Sequence, residues 1–114
     1  MTYLEICKYV FSEERVLWDM RTFKGRRRQL VQAKQISVYL GNWFFPQLSN
    51  SELAEPFDQD RSTVNHSIQV IKGYLQYDKN IRTRIDKYLT IIRGENVIPE
   101  NEDIFLENDF YINK

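Results

Sequence analysis

Apolar residues recur every three to four positions along most of the chain, and this helical period constrains the fold more than any other feature. Val64, Ile68, Ile71 and Leu75 make one row, and Ile81, Ile85, Tyr88, Leu89 and Ile92 make another. Ile36, Tyr39, Leu40 and Trp43 form a third, and Tyr3, Ile6, Cys7, Val10 and Phe11 open the chain with a fourth. Each row covers one side of a helix and needs a second helix to bury it. The two-residue alternation of a half-buried strand is scarce. The expected fold class is therefore all-α, a compact domain of about five to six helices followed by a C-terminal tail.

Cap and breaker residues divide the rows. Thr2 is placed to cap a helix over residues 3–11, and Ser12 to open a second, shorter one in "SEERVLWDM", with Glu13 and Glu14 in its first turn. "RTFKGRRRQ" has no apolar face and reads as a loop. A long helix is expected from Leu30 to Phe45, ended by Pro46. Ser49 then caps a short helix that turns Leu53, Ala54 and Phe57 inward, and Pro56 should kink or end it. The link "DQD" leads to a helix from Ser62 to Tyr77, with Ser62 as its cap and Asp60 able to serve the same end. Asp78 caps the last helix and Gly94 stops it. Residues 1–94 thus read as one helical domain, and 95–114 as an acidic, partly apolar tail.

Composition narrows the function. With 42% hydrophobic and 14% aromatic residues in 114, the chain suits one folded globule. It has no apolar run of the roughly 18–20 residues a membrane span needs, and no signal-peptide pattern. A cytoplasmic location is expected, with no membrane partner. Cys7 and His66 are the only cysteine and histidine. They stand far apart in sequence, and neither a phosphate-cradling loop nor a nucleophile elbow accompanies them. No enzyme activity, metal or cofactor is expected, and Cys7 reads as a small core residue. The zero net charge conceals an asymmetry. The tail carries six acidic residues against Lys114, a net −5, leaving +5 for residues 1–94. A basic body of this kind suits a polyanion.

The stretch "DQDRSTVNHS", residues 58–67, concentrates hydrogen-bonding side chains at the start of a helix. Opposite the row 64, 68, 71 and 75 fall Ser62, His66, Gln69 and Gly73, so His66 is expected to be exposed. Together with the preceding "SNSELAEPF", this has the length and pattern of a helix-turn-helix, with Ala54 where the helices pack closely. In that motif the start of the second helix enters the DNA major groove. Arg61 would donate twice to a guanine, and Ser62, Thr63 and Asn65 would meet bases or phosphates. Lys34, His66 and Lys72 would make phosphate or peripheral contacts. In "KGRRR", Lys24, Arg26, Arg27 and Arg28 suit a narrow minor groove. A protein-interaction module working through residues 95–114 is the alternative.

Over residues 3–93 the sequence resembles the C-terminal DNA-binding domain of the bacterial replication initiator DnaA. The resemblance is carried by "KGRRRQLVQAKQISVYL", "LSNSELAEPF" and "DRSTVNHSIQVIK". It implies a helix-turn-helix fold of the Trp-repressor/DnaA C-terminal kind, double-stranded DNA as partner, and a role in replication or transcription control. The basic loop would place an arginine, Arg28 or a neighbour in 26–28, in the minor groove, while the signature helix reads the major groove. Lys34 and Gln35 match the Arg-Gln pair of the family's long helix; Asp60, Ser62, Thr63, Val64 and His66 match its signature. Gln59 stands where the family has Arg, and Arg61 where it has His. Both departures fall on base-reading positions. The family's ATPase module has no counterpart, so a free-standing relative that uses no nucleotide is expected.

Overall fold

A computed structural model describes residues 1–94; the expectations for 95–114 lie outside the described residues. Five α-helices follow one another: α1 (Tyr3–Glu13), α2 (Arg28–Phe44), α3 (Asn50–Ala54), α4 (Arg61–Tyr77) and α5 (Lys79–Arg93). Single 3-10 turns, Trp18–Met20 and Glu55–Phe57, lie in the two longer connections, and no strand occurs among the described residues.

The cap signals mark most of these boundaries. Thr2 and Ser49 each form a capping box, with Glu5 and Glu52 reaching back to the cap N–H. The Asp78 carboxylate accepts from the N–H groups of Asn80 and Ile81 and starts α5. Pro56 ends α3 as expected, and the chain continues as a 3-10 turn.

Two boundaries ahead of α3 differ from expectation. Ser12 opens no helix; it lies inside α1, which runs on to Glu13. There the chain breaks at Arg15, whose φ of 60° is left-handed. The Arg15 N–H bonds to the Ser12 carbonyl at 3.1 Å and the Val16 N–H to the Phe11 carbonyl at 2.9 Å. This is a Schellman ending, a position that normally attracts glycine. Helix α2 starts at Arg28, ahead of Leu30, with Arg27 as its cap residue.

Helix α2 is the centre of the packing, against α1 on one side and α4 on the other, while α3 and α5 pack on α4. Ile36 and Leu40 from α2 join Ile6, Val10 and Phe11 from α1 in a core that also takes Val64, Ile71, Ile85 and Ile92. At Gly41 a side chain would collide with the Tyr3 ring and Leu53. The glycine permits close approach there, and the Tyr3 hydroxyl donates to the Leu53 carbonyl at 2.6 Å. Cys7 is fully buried and burial pushes its thiol up to about 12, so it serves as a core residue. Trp43 and Leu75 are only half-buried.

Phe57 is the residue through which the core reaches the turn before α4. Its ring stacks on Phe11 at 5.7 Å and meets Trp18 edge-on at 6.2 Å. Burying such a side chain contributes about 1.5–3 kcal/mol. Across the molecule, Glu14 joins the guanidinium of Arg84 and the hydroxyl of Tyr88, and Lys87 pairs with Glu13 at 2.8 Å. These contacts tie α5 to the end of α1.

Candidate nucleic-acid interface

Helix α4 starts on the Asp60 carboxylate, which accepts from the Thr63 N–H at 2.8 Å and from the Ser62 hydroxyl at 2.7 Å. Those bonds, the Ser62 hydroxyl foremost, hold its carboxyl down at about 2. The cap is therefore Asp60. Ser62, expected as the cap, is the second helical residue and braces the carboxylate instead. The two residue types are near-equal caps, and the extended backbone at Asp60 puts its carboxylate, not the Ser62 hydroxyl, at the helix start.

With the start so fixed, Arg61, Ser62, Thr63, Asn65 and His66 are exposed while Val64, Ser67 and Ile68 are buried. His66 is on the outer face, as its angle on the helix required. Lys72 is exposed, and Gly73 faces open space. Gln59 is half-buried and its Oε1 is enclosed without a hydrogen-bond partner among the described residues. At least that atom is turned away from solvent.

The basic loop lies directly across from this helix start. Lys24 and Gly25 on one side and Gln59, Asp60, Thr63 and His66 on the other line a groove of about 440 Å³, with Lys34 contributing from α2. The Lys24 ammonium donates to the carbonyls of Phe57 (3.4 Å) and Asp58, and it lies 4.0 Å from the Asp58 carboxylate. Asp58 itself is left-handed, with φ 50°. Small polar residues tolerate that conformation best.

Lys34, expected to make a phosphate or peripheral contact, reaches the groove from within the fold. Its side chain is buried, and its ammonium donates to the Phe23 carbonyl at 2.6 Å. Burial, with Lys24 adding repulsion, lowers its pKa. The spacing held the signal: Leu30, Ala33, Lys34 and Ser37 form one buried stripe on α2.

None of the three loop arginines lines the groove. Arg26, Arg27 and Arg28 are all exposed. Arg27 borders a depression with Leu17 and Phe23, and Arg28 one with Glu13, Glu14 and Arg84. Arg26 follows directly on groove-lining Gly25. Among the described residues no cluster of His, Cys, Asp or Glu could hold a metal, and no helix is long and apolar enough to cross a membrane.

Comparison with known proteins adds a second line of observation. Over 89 residues the chain is 30% identical to the chromosomal replication initiator protein DnaA of Bacteroides thetaiotaomicron, covering 77% of this chain and 18% of that protein. Over 93 residues it is 28% identical to the DnaA of Bacteroides fragilis, covering 81% of this chain and 18% of that protein. The chain is related to DnaA. Because the similarity takes in most of the chain, it extends well beyond the α3–α4 pair and rests on the domain as a whole. The chain spans less than a fifth of the length of these DnaA relatives. No family model and no solved structure matches the chain.

Proposed function

We propose that this DnaA-related domain binds double-stranded DNA with a sequence preference, in replication or transcription control. The observation that carries the reading is the groove itself. A basic loop and the polar start of an exposed-faced helix flank one depression, as two elements entering adjacent grooves of a duplex require. The pair α3–α4 acts as a helix-turn-helix. Arg61, Ser62, Thr63 and Asn65 face the bases of the major groove, and His66 and Lys72 contact the backbone. Arg26 is the favoured minor-groove arginine, with Arg27 and Arg28 adding positive charge beside it.

The carboxylates near the turn fit this reading. Asp60 is engaged as the cap, and Asp58 lies beside Lys24, so both sit against donors. Binding to a protein through residues 95–114 concerns a segment outside the described residues.

Selection from random-sequence duplexes, followed by mobility shifts across a salt series, tests the proposal. Enrichment of a defined motif, with affinity falling steeply as salt rises, is the expected result. Absence of a salt-sensitive shift with any duplex at low ionic strength overturns it.

A further inference from the structure

Lys24 sits in a basic run on an exposed loop, where a lysine would ordinarily be read as a phosphate contact. Its ammonium is directed elsewhere. It donates to the carbonyls of Phe57 and Asp58, beside the Asp58 carboxylate. These carbonyls lie at the end of the 3-10 turn, where the chain reverses through a left-handed residue, and a cation there satisfies oxygens the turn leaves over. One residue earlier, the carbonyl of Phe23 receives the ammonium of Lys34, a buried group on α2.

The two bonds form a chain of supports. Lys34 holds the loop to the central helix, Lys24 holds the loop to the turn, and two residues past Asp58 the turn delivers Asp60, which starts α4. Burial makes it costly to charge Lys34, and the nearby Lys24 ammonium adds to that cost. The carbonyls they serve offset that cost; Lys34 is buried, whereas Lys24 reaches its carbonyls along the surface.

We propose that Lys24 and Lys34 are positioning residues that lock the basic loop to the turn and so fix the spacing between the minor-groove arginine and the major-groove helix. This rests on the DNA-binding reading above. A loop that is already ordered loses less entropy on binding, and arginines at a set distance from α4 meet both grooves in one register. Lys24 therefore acts through Arg26 and α4 and makes no phosphate contact of its own.

The test uses the full chain with Lys24→Met and Lys24→Arg. Amide hydrogen exchange of residues 23–27 in the free protein reports the lock directly. Lys24→Met should speed exchange there, with protection of the α2 and α4 cores unchanged, and Lys24→Arg should restore it. Duplex affinity should fall about tenfold in Lys24→Met, the scale expected when a side chain and loop must be ordered on binding. The slope of log affinity against log salt should hold, because the phosphates contacted are the same. A slope smaller by about 0.9, with loop exchange as in the parent, would make Lys24 a phosphate ligand and overturn the proposal. Unchanged exchange together with unchanged affinity overturns it equally. If the parent chain shifts no duplex, the DNA reading falls by itself. Faster loop exchange in Lys24→Met then still supports the lock, and unchanged exchange still defeats it.

Discussion

The α1–α5 face and the face formed by the basic loop and α4 are both rich in arginine and lysine, and they use them in opposite ways. On the first, Arg84 and Lys87 close onto Glu14 and Glu13, and Tyr88 adds its hydroxyl to Glu14. On the second, Arg26 and Arg61 extend into solvent and make no ion pair among the described residues. Partner placement accounts for the difference. A cation facing a carboxylate on the next helix stabilises the fold, whereas one on a loop or helix start with no carboxylate opposite is free for a ligand. Lys24 and Lys34 form a third class, cations bonded to backbone carbonyls that serve the second face while belonging to the scaffold.

Substitutions sharpen this contrast or break it. The largest effect is expected at Phe57, because its ring joins the core to the turn. Phe57→Ala should cost about 3–5 kcal/mol in denaturant unfolding and weaken duplex binding as well. Loss of stability with full DNA affinity would show that the turn is held without its ring. Glu14→Gln removes the charge that Arg84 and Tyr88 share and should cost about 2–3 kcal/mol. Duplex affinity of the folded protein, measured well below its melting temperature, should stay as it was. A change there would couple the two faces through the depression that Arg28 shares with Glu14 and Arg84.

Arg61→Ala reverses the pattern. Stability should hold, while competition between preferred and scrambled duplexes should lose about 1–3 kcal/mol of discrimination. Equal weakening on every sequence would move Arg61 to the phosphates. The smallest effect concerns the Asp60 cap. Asp60→Ala should lower the melting temperature by about 4–8 °C at neutral pH. The Asp60 carboxyl is held at about 2 against an ordinary 3.8, so its contribution is complete above the ordinary value and disappears as pH falls towards 2. The gap between parent and variant should close over that interval in an acid melting series. A gap of constant size would mean that the carboxylate form is not what caps α4.

Much of the fold was legible in the chain because its signals are local. The apolar rows place α1, α2, α4 and α5, and Thr2, Ser49 and Asp78 mark starts through side-chain bonds within three residues. Where the reading failed, the deciding partner was distant or the residue type unusual. Ser12 resembled a helix start because the true stop is Arg15, an arginine in a position where glycine is the usual signal. Glu13 and Glu14 resembled first-turn acids, yet their partners lie on α5, seventy or more positions away. Ser62 and Asp60 were both visible as cap candidates, and the geometry of the turn chose between them.

The exposure of Ser62 and His66 followed from the sequence by itself, since their angle on α4 opposes the buried row at 64, 68 and 71, whereas Arg61 lies on the side of that row and is exposed as the first residue of the helix. The all-α class followed in the same way, from periodicity. The destination of each lysine and arginine was decided only by tertiary structure. Lys24, Arg28 and Arg84 each read in the sequence simply as a cation. A flexible cation takes its role from the carbonyl or carboxylate that the fold brings within about 4 Å of it, and that neighbour comes from elsewhere in the chain.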